Sequence, residues 1–194
     1  MKPAHVHGLL LTGGSSSRMG RDKASLDVGG IPIGLRAAAA LAAVADPVLI
    51  VGNDIGGGYE VVDDARRGPL AAFAAGAAAL RARGHDGAIL LLACDMPFVD
   101  AELLASIASA IGKADGAIPV AGDRDQPLAA CYSVRAAVTA QKLVAGGHSA
   151  MRDLIGALRV HRVEIDETAL MDVDTPQDLA VARRVRHPRQ SGLL

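Results

Sequence analysis

Between Gly8 and Lys23 the chain reads GLLLTGGSSSRMGRDK. An apolar run breaks at Leu11-Thr12-Gly13-Gly14, three serines follow, and Arg18, Arg21 and Lys23 close the stretch. Glycine lets a backbone approach a ligand closely. Consecutive backbone N–H groups and serine hydroxyls there can donate to phosphate oxygens, and the three cations suit a polyanion. The same residues could simply form a solvated turn after a strand. The spacing is neither that of a Walker A loop nor that of a dinucleotide-binding fingerprint.

A second group of candidates is acidic. Asp95 sits just past Ala88–Ala93, the most apolar run in the chain, with Cys94 between. Desolvating a carboxylate there is expensive unless it is paired. Mg²⁺ carried by a triphosphate would satisfy it, since that ion takes one or two carboxylates plus phosphate oxygens and water. The alternative is an aspartate capping a helix entry. Asp174, in MDVDTPQDL, is a second metal candidate, although it could merely precede the cap formed by Thr175. Asp63 and Asp64 follow a short apolar stretch, and Gly52-Asn53 follows PVLIV; each could be part of a site or of a solvated turn. No catalytic role falls to any of the six histidines, and His148 in GGHSAM reads as a surface-loop residue.

Alternating elements must position these groups. The expected strands are 6–11, 47–51, 60–62, 88–93, 116–120, 126–132 and 159–165, with Pro127 placing its strand at an edge or a start. Helices are expected over 34–44, 68–83, 101–111, 135–145, 149–158 and from a capping box at Thr175–Asp178 to about residue 185. Such alternation predicts an α/β fold, a mostly parallel sheet with helices on both faces. Ligands in such sheets gather at the carboxyl ends of strands, and TGG, GND, DD and CDMP all fall there.

At 194 residues the chain is expected to form a single domain over 1–185, with 186–194 a frayed basic tail. Aromatics make up only 2%, so the core must be aliphatic and a base-stacking nucleic-acid surface is excluded. A net charge of −1 likewise argues against coating a polyanion. Two cysteines give neither a metal spacing nor a disulfide framework. With no apolar run of membrane length and no leader, a cytoplasmic protein without membrane contact is expected.

The first stretch resembles L-x-G-G-x-S-x-R-M-G-x-x-K, the signature of nucleotidyltransferases that pass an NMP from an NTP to a phosphorylated acceptor. CDMPF resembles the C-D-x-P-[FY] motif of the same superfamily. Asp64 followed by Gly68-Pro69-Leu70, and Arg124-Asp125-Gln126-Pro127-Leu128 through Tyr132, are similar to stretches of the molybdenum cofactor guanylyltransferases. Together these span residues 8–179. The resemblance implies a Rossmann-like three-layer α/β/α nucleotidyltransferase fold with Mg²⁺ as cofactor. It implies transfer of GMP from GTP to molybdenum-bound molybdopterin, releasing pyrophosphate.

On this resemblance, Lys23 and Arg18 hold the triphosphate. Leu11, Thr12, Gly13, Gly14, Asn53 and Asp64 line the nucleotide, and Asp95, with Asp174, binds the metal. Molybdoenzyme apoproteins or their chaperones would be possible recipients of the product. Asp172 and Asp174 stand where the guanylyl branch carries asparagines, which looks more like the molybdenum cofactor cytidylyltransferases. A cytidylyltransferase or sugar-phosphate nucleotidyltransferase is therefore the alternative enzyme. A non-catalytic nucleotide-binding or cofactor-delivery protein is the alternative of another class. Guanine itself could be read by backbone groups of a glycine-lined crevice at 11–14 and 52–53, with no dedicated side chain.

Overall fold

The computed structural model describes residues 5–13, 23–64 and 67–184. Arg18 and Gly14, both expected in the site, lie outside these residues, as does the tail. Among the described residues eight strands form one mixed sheet: β1 (Val6–Leu11), β2 (Val48–Val51), β3 (Glu60–Val62), β4 (Ala88–Ala93), β5 (Gly116–Ala121), β6 (Arg124–Asp125), β7 (Ala129–Tyr132) and β8 (Val160–Glu164). Their order is β3-β2-β1-β4-β7-β5-β6, with β8 also paired to β5. β1 to β4 are mutually parallel, and β7 is antiparallel to both β4 and β5. β5 and β8 therefore point the same way as β1 to β4.

Alternation along the strands sorts side chains between two helical layers. Leu9, Leu11, Leu49, Val51, Ile89 and Leu91 face α2 (Pro69–Ala82), α4 (Val134–Ala145) and α5 (Met151–Gly156). Leu10, Ile50, Leu90 and Leu92 face α1 (Ile33–Ala42) and α3 (Ala101–Ala110). Nearly every partner is aliphatic, as the scarcity of aromatics requires. Phe73 of α2 meets Tyr132 of β7 with ring centres 4.9 Å apart and planes tilted by 46°. A third, smaller cluster of Leu26, Val28, Ile33, Phe98, Val173 and Ala182 seats α6 (Pro176–Arg184) beside the carboxyl end of β4.

The helix-start signals act as the sequence predicts. Asp100 accepts from the Leu103 amide at 2.8 Å. Thr175 and Asp178 cap reciprocally: Thr175 N–H donates to Asp178 Oδ2 at 2.7 Å, and Asp178 N–H donates to Thr175 Oγ1 at 3.2 Å. One expectation needs correcting. The strand expected over 126–132 is shorter: β7 starts at Ala129, inside the sheet, so of the two places that Pro127 allowed the start holds and the edge does not. Pro127 lies ahead of it, where a missing amide interrupts no ladder. Among the described residues no helix is long and apolar enough to cross a membrane.

Candidate active site

The four parallel strands end in register: Leu11 lies opposite Val51 and Ala93, and Val51 lies opposite Val62. Hydrogen bonds continue past these ends. Thr12 N–H donates to Val51 O at 3.0 Å, Cys94 N–H to Leu11 O at 3.0 Å, and Gly52 N–H to Val62 O at 2.9 Å. The loops carrying the candidate residues therefore leave the sheet side by side.

On the β1–β2–β3 side, Thr12 is buried and its hydroxyl donates to the Asn53 carbonyl at 2.7 Å. Asp64, only 8% exposed, presses on Gly13, where a Cβ would stand 2.0 Å from Asp64 Oδ2. Gly52 holds φ at +118°, and a Cβ there would fall 2.4 Å from Gly13 N and 2.7 Å from Gly13 Cα. Leu11, Thr12, Gly13, Asn53 and Asp64 are thus one packed group of backbone and side chain. Replacing Gly52 with alanine would both strain the backbone and push the Thr12–Gly13 segment aside. We expect Gly52→Ala to lower unfolding free energy by about 2–3 kcal/mol. Urea denaturation would read this, and nucleotide affinity should fall with it.

On the β1–β4 side, Lys23 opens a short 3₁₀ turn (Lys23–Ser25) and reaches two carboxylates. Its Nζ lies 3.3 Å from Asp95 Oδ2 and also donates to Asp174 Oδ1. Asp95 and Asp174 come from segments 79 residues apart, joined by the Val173 amide donating to the Asp95 carbonyl at 2.8 Å. Burial pushes the Asp95 carboxyl above the usual carboxylate range, against the pull of Lys23, and the charges of Asp174 and Asp172 push it further up. Burial acts to lower the Lys23 ammonium, but its hydrogen bond to Asp174 and the charges of both carboxylates win and hold it above the ordinary lysine value. Lys23 therefore remains a cation at neutral pH.

The donor set fits Mg²⁺. Two hard carboxylates face one point that already demands positive charge. Among the described residues no group of three or more histidine, cysteine or acidic side chains could hold a metal ion. That pairing suits an ion that draws its remaining ligands from phosphate and water. Asp174 is not the helix cap: its amide donates to Asp178 Oδ2 at 3.1 Å, while its carboxylate, 48% exposed, turns to Lys23. The cap alternative for Asp95 also falls, because Asp100 caps the following helix.

A groove that the sequence marks only in part opens near the starts of α2, β7 and α5. It is lined by Arg67, Gly68 and Pro69 at the start of α2, Pro127 and Leu128 before β7, and Ser149 to Arg152 at the start of α5. The Leu128 carbonyl accepts from Ala93 N–H at 2.8 Å, which ties one wall of the groove to the end of β4, two residues before Asp95. Tyr132, wholly buried, donates its hydroxyl to the Pro127 carbonyl at 2.8 Å and so fixes one wall. The motifs at Gly68-Pro69-Leu70 and around Pro127 supply two of its walls; nothing local marks Ser149–Arg152 as their neighbour. His148 pairs with Asp153 at 3.0 Å on the surface, consistent with its reading as a loop residue.

A largely parallel α/β sheet with glycine-bearing loops and a lysine-bridged carboxylate pair at its strand ends has the layout in which open α/β sheets bind ligands. Residues 8–163 match the model of the MobA-like NTP transferase domain. A probable molybdenum cofactor guanylyltransferase from Opitutus terrae is 36% identical over 160 residues, covering 78% of each chain. One from Pelotomaculum thermopropionicum is 33% identical over 95% of both. The crystal structure of molybdopterin-guanine dinucleotide biosynthesis protein A from Archaeoglobus fulgidus superposes with a TM-score of 0.72, covering 92% of this chain and 97% of that one at 23% identity. The chain belongs to the MobA-like NTP transferase family and is a nucleotidyltransferase.

Proposed function

We propose that the protein transfers GMP from GTP to molybdenum-molybdopterin, giving the guanine dinucleotide cofactor and pyrophosphate. The observation that carries the reading is the Lys23–Asp95–Asp174 centre at the carboxyl ends of the parallel strands. The nucleotide would lie over the loops at 11–13 and 52–53, and the groove between Arg67 and Arg152 would take the phosphorylated acceptor.

The acceptor phosphate is already deprotonated at neutral pH, so attack on the α-phosphorus needs no general base. The obstacle is mutual repulsion of two anions, and the site must align them and neutralise charge. The Gly13 backbone and the Asn53 segment would orient the nucleotide, with Thr12 and Asp64 holding these loops in place. Gly14 and Arg18 are proposed to extend this grip on the phosphates. Lys23 would offset charge developing on the leaving pyrophosphate. Mg²⁺ would be held by Asp95 with Asp174, and when bound it would supply Lewis-acid neutralisation of the phosphates. Arg67 and Arg152 flank the second groove and suit the charge of the acceptor. Buried Cys131, its thiol pushed up to about 12 by desolvation, and buried Cys94 form no disulfide. Unbridged cysteines suit the reducing cytoplasm, where we place the protein. Delivery to a molybdoenzyme apoprotein or its chaperone would follow.

Asp172 and Asp174 favour a second reading, a cytidylyltransferase. Asp174 faces Lys23 and Asp95, on the metal side rather than in the glycine crevice, so its acidity need not govern the base. A crevice that hydrogen-bonds the right base leaves polar groups unpaired with the wrong one. GTP is therefore expected to exceed CTP in kcat/KM by roughly a hundredfold or more, on the scale of unpaired buried groups. Steady-state turnover of both nucleotides with the same molybdopterin acceptor tests this, and a CTP preference would overturn the assignment.

A further inference from the structure

The two carboxylates that would hold a divalent cation already hold one of the protein's own. Lys23 Nζ bonds to Asp95 and Asp174 together, and its side chain is only 21% exposed. The carboxylates do not need the lysine to stay near each other. Val173 N–H is tied to the Asp95 carbonyl, and Asp174 N–H to Asp178. On the other side, the backbone of Lys23 is anchored by buried Ala24 and by Leu26 N–H donating to its carbonyl at 3.0 Å. The anchored parts are backbone, and the mobile part is a four-carbon stem that can swing its charge elsewhere.

We infer that Lys23 is the resident counter-cation of the divalent site, so that a divalent ion and the Lys23 ammonium compete for Asp95 and Asp174. Both draw on the same oxygens, and a second cation placed there meets the first at short range, where repulsion is strong. Resting on the function proposed above, a triphosphate gives the displaced ammonium a new anionic partner. Metal and nucleotide then each tighten the other's binding by the same factor, as linkage requires. Lys23 would thereby keep the centre neutralised when empty and reach the phosphates only once the metal has entered.

The probe is Mn²⁺, followed by the electron paramagnetic resonance signal of the free ion, without nucleotide. Wild-type protein is expected to bind it weakly, and Lys23→Met at least tenfold more tightly. Adding Asp95→Asn to that variant should remove most of the gain. Lys23→Gln, checked for fold by circular dichroism, guards against a defect peculiar to methionine. In wild-type protein, amine labelling read by mass spectrometry should show Lys23 becoming more reactive as Mn²⁺ rises. Unchanged Mn²⁺ affinity in folded Lys23 variants would overturn the inference. So would unchanged Lys23 labelling at Mn²⁺ concentrations that saturate the site, which decides the matter even if both variants misfold. GMP transfer by the wild-type protein is scored separately. Its absence alongside tighter Mn²⁺ binding would sink only the proposed function, and its presence without tighter binding would sink only the exchange.

Discussion

Asp95→Asn is expected to abolish metal-dependent turnover, lowering kcat/KM by roughly 10³-fold or more, about 4 kcal/mol of transition-state stabilisation. The isosteric amide keeps the shape of the side chain but removes the charge that Lys23 and a divalent ion would share. Burial already disfavours the ionised form of Asp95, so asparagine there relieves a desolvation penalty. Thermal stability should therefore hold or rise while activity disappears. Asp174→Asn should be milder, because Asp174 is half-exposed and the amide can still offer an oxygen. Activity measured against Mg²⁺ concentration separates the two: Asp174→Asn should shift the half-saturating concentration upward, whereas no Mg²⁺ concentration should rescue Asp95→Asn. If Asp174→Asn proved the more damaging, Asp174 rather than Asp95 would be the principal ligand.

Legibility followed the range of the interactions. Helix caps at Asp100 and Thr175 depend on residues within four positions, and the chain displays them directly. The apolar run 88–93 announced a strand buried on both faces, and β4 does lie between β1 and β7. Pro127 illustrates what one residue cannot decide: its missing amide excludes it from a ladder, but not the strand that follows it. The candidate residues were legible by type and by their position after apolar runs, but their pairings were not. No periodicity tells that Lys23 bridges Asp95 and Asp174, because 72 and 151 residues separate the partners. Asp64 against Gly13, and the groove joining α2 to α5, arise likewise from crossovers of the sheet. The position of Lys23 is also a refinement. It was expected at the triphosphate as a loop residue, and here it opens a 3₁₀ turn and neutralises the carboxylates.

Lys23→Ala is expected to lower kcat/KM by a factor on the order of 10²–10³, about 3–4 kcal/mol, the loss typical of one preorganised charged donor. The fold should survive. Ala24 and Leu26 anchor the turn through their own burial, and the Val173–Asp95 and Asp174–Asp178 hydrogen bonds hold the carboxylates in place. What the substitution leaves behind is two facing carboxylates without a counter-charge. Stability should therefore fall modestly without divalent ions and recover when Mg²⁺ is added, a response larger than that of the wild-type protein. In activity the same change should act in opposite directions on two parameters. Maximal turnover drops, because nothing replaces the ammonium at the phosphates. The Mg²⁺ concentration for half-maximal rate drops too, because no resident cation has to be displaced. A lysine that only bound phosphate would lower turnover and leave the Mg²⁺ requirement unchanged. A lysine with no part in the site would leave both unchanged, and near-normal kcat/KM in Lys23→Ala would remove it from the centre altogether.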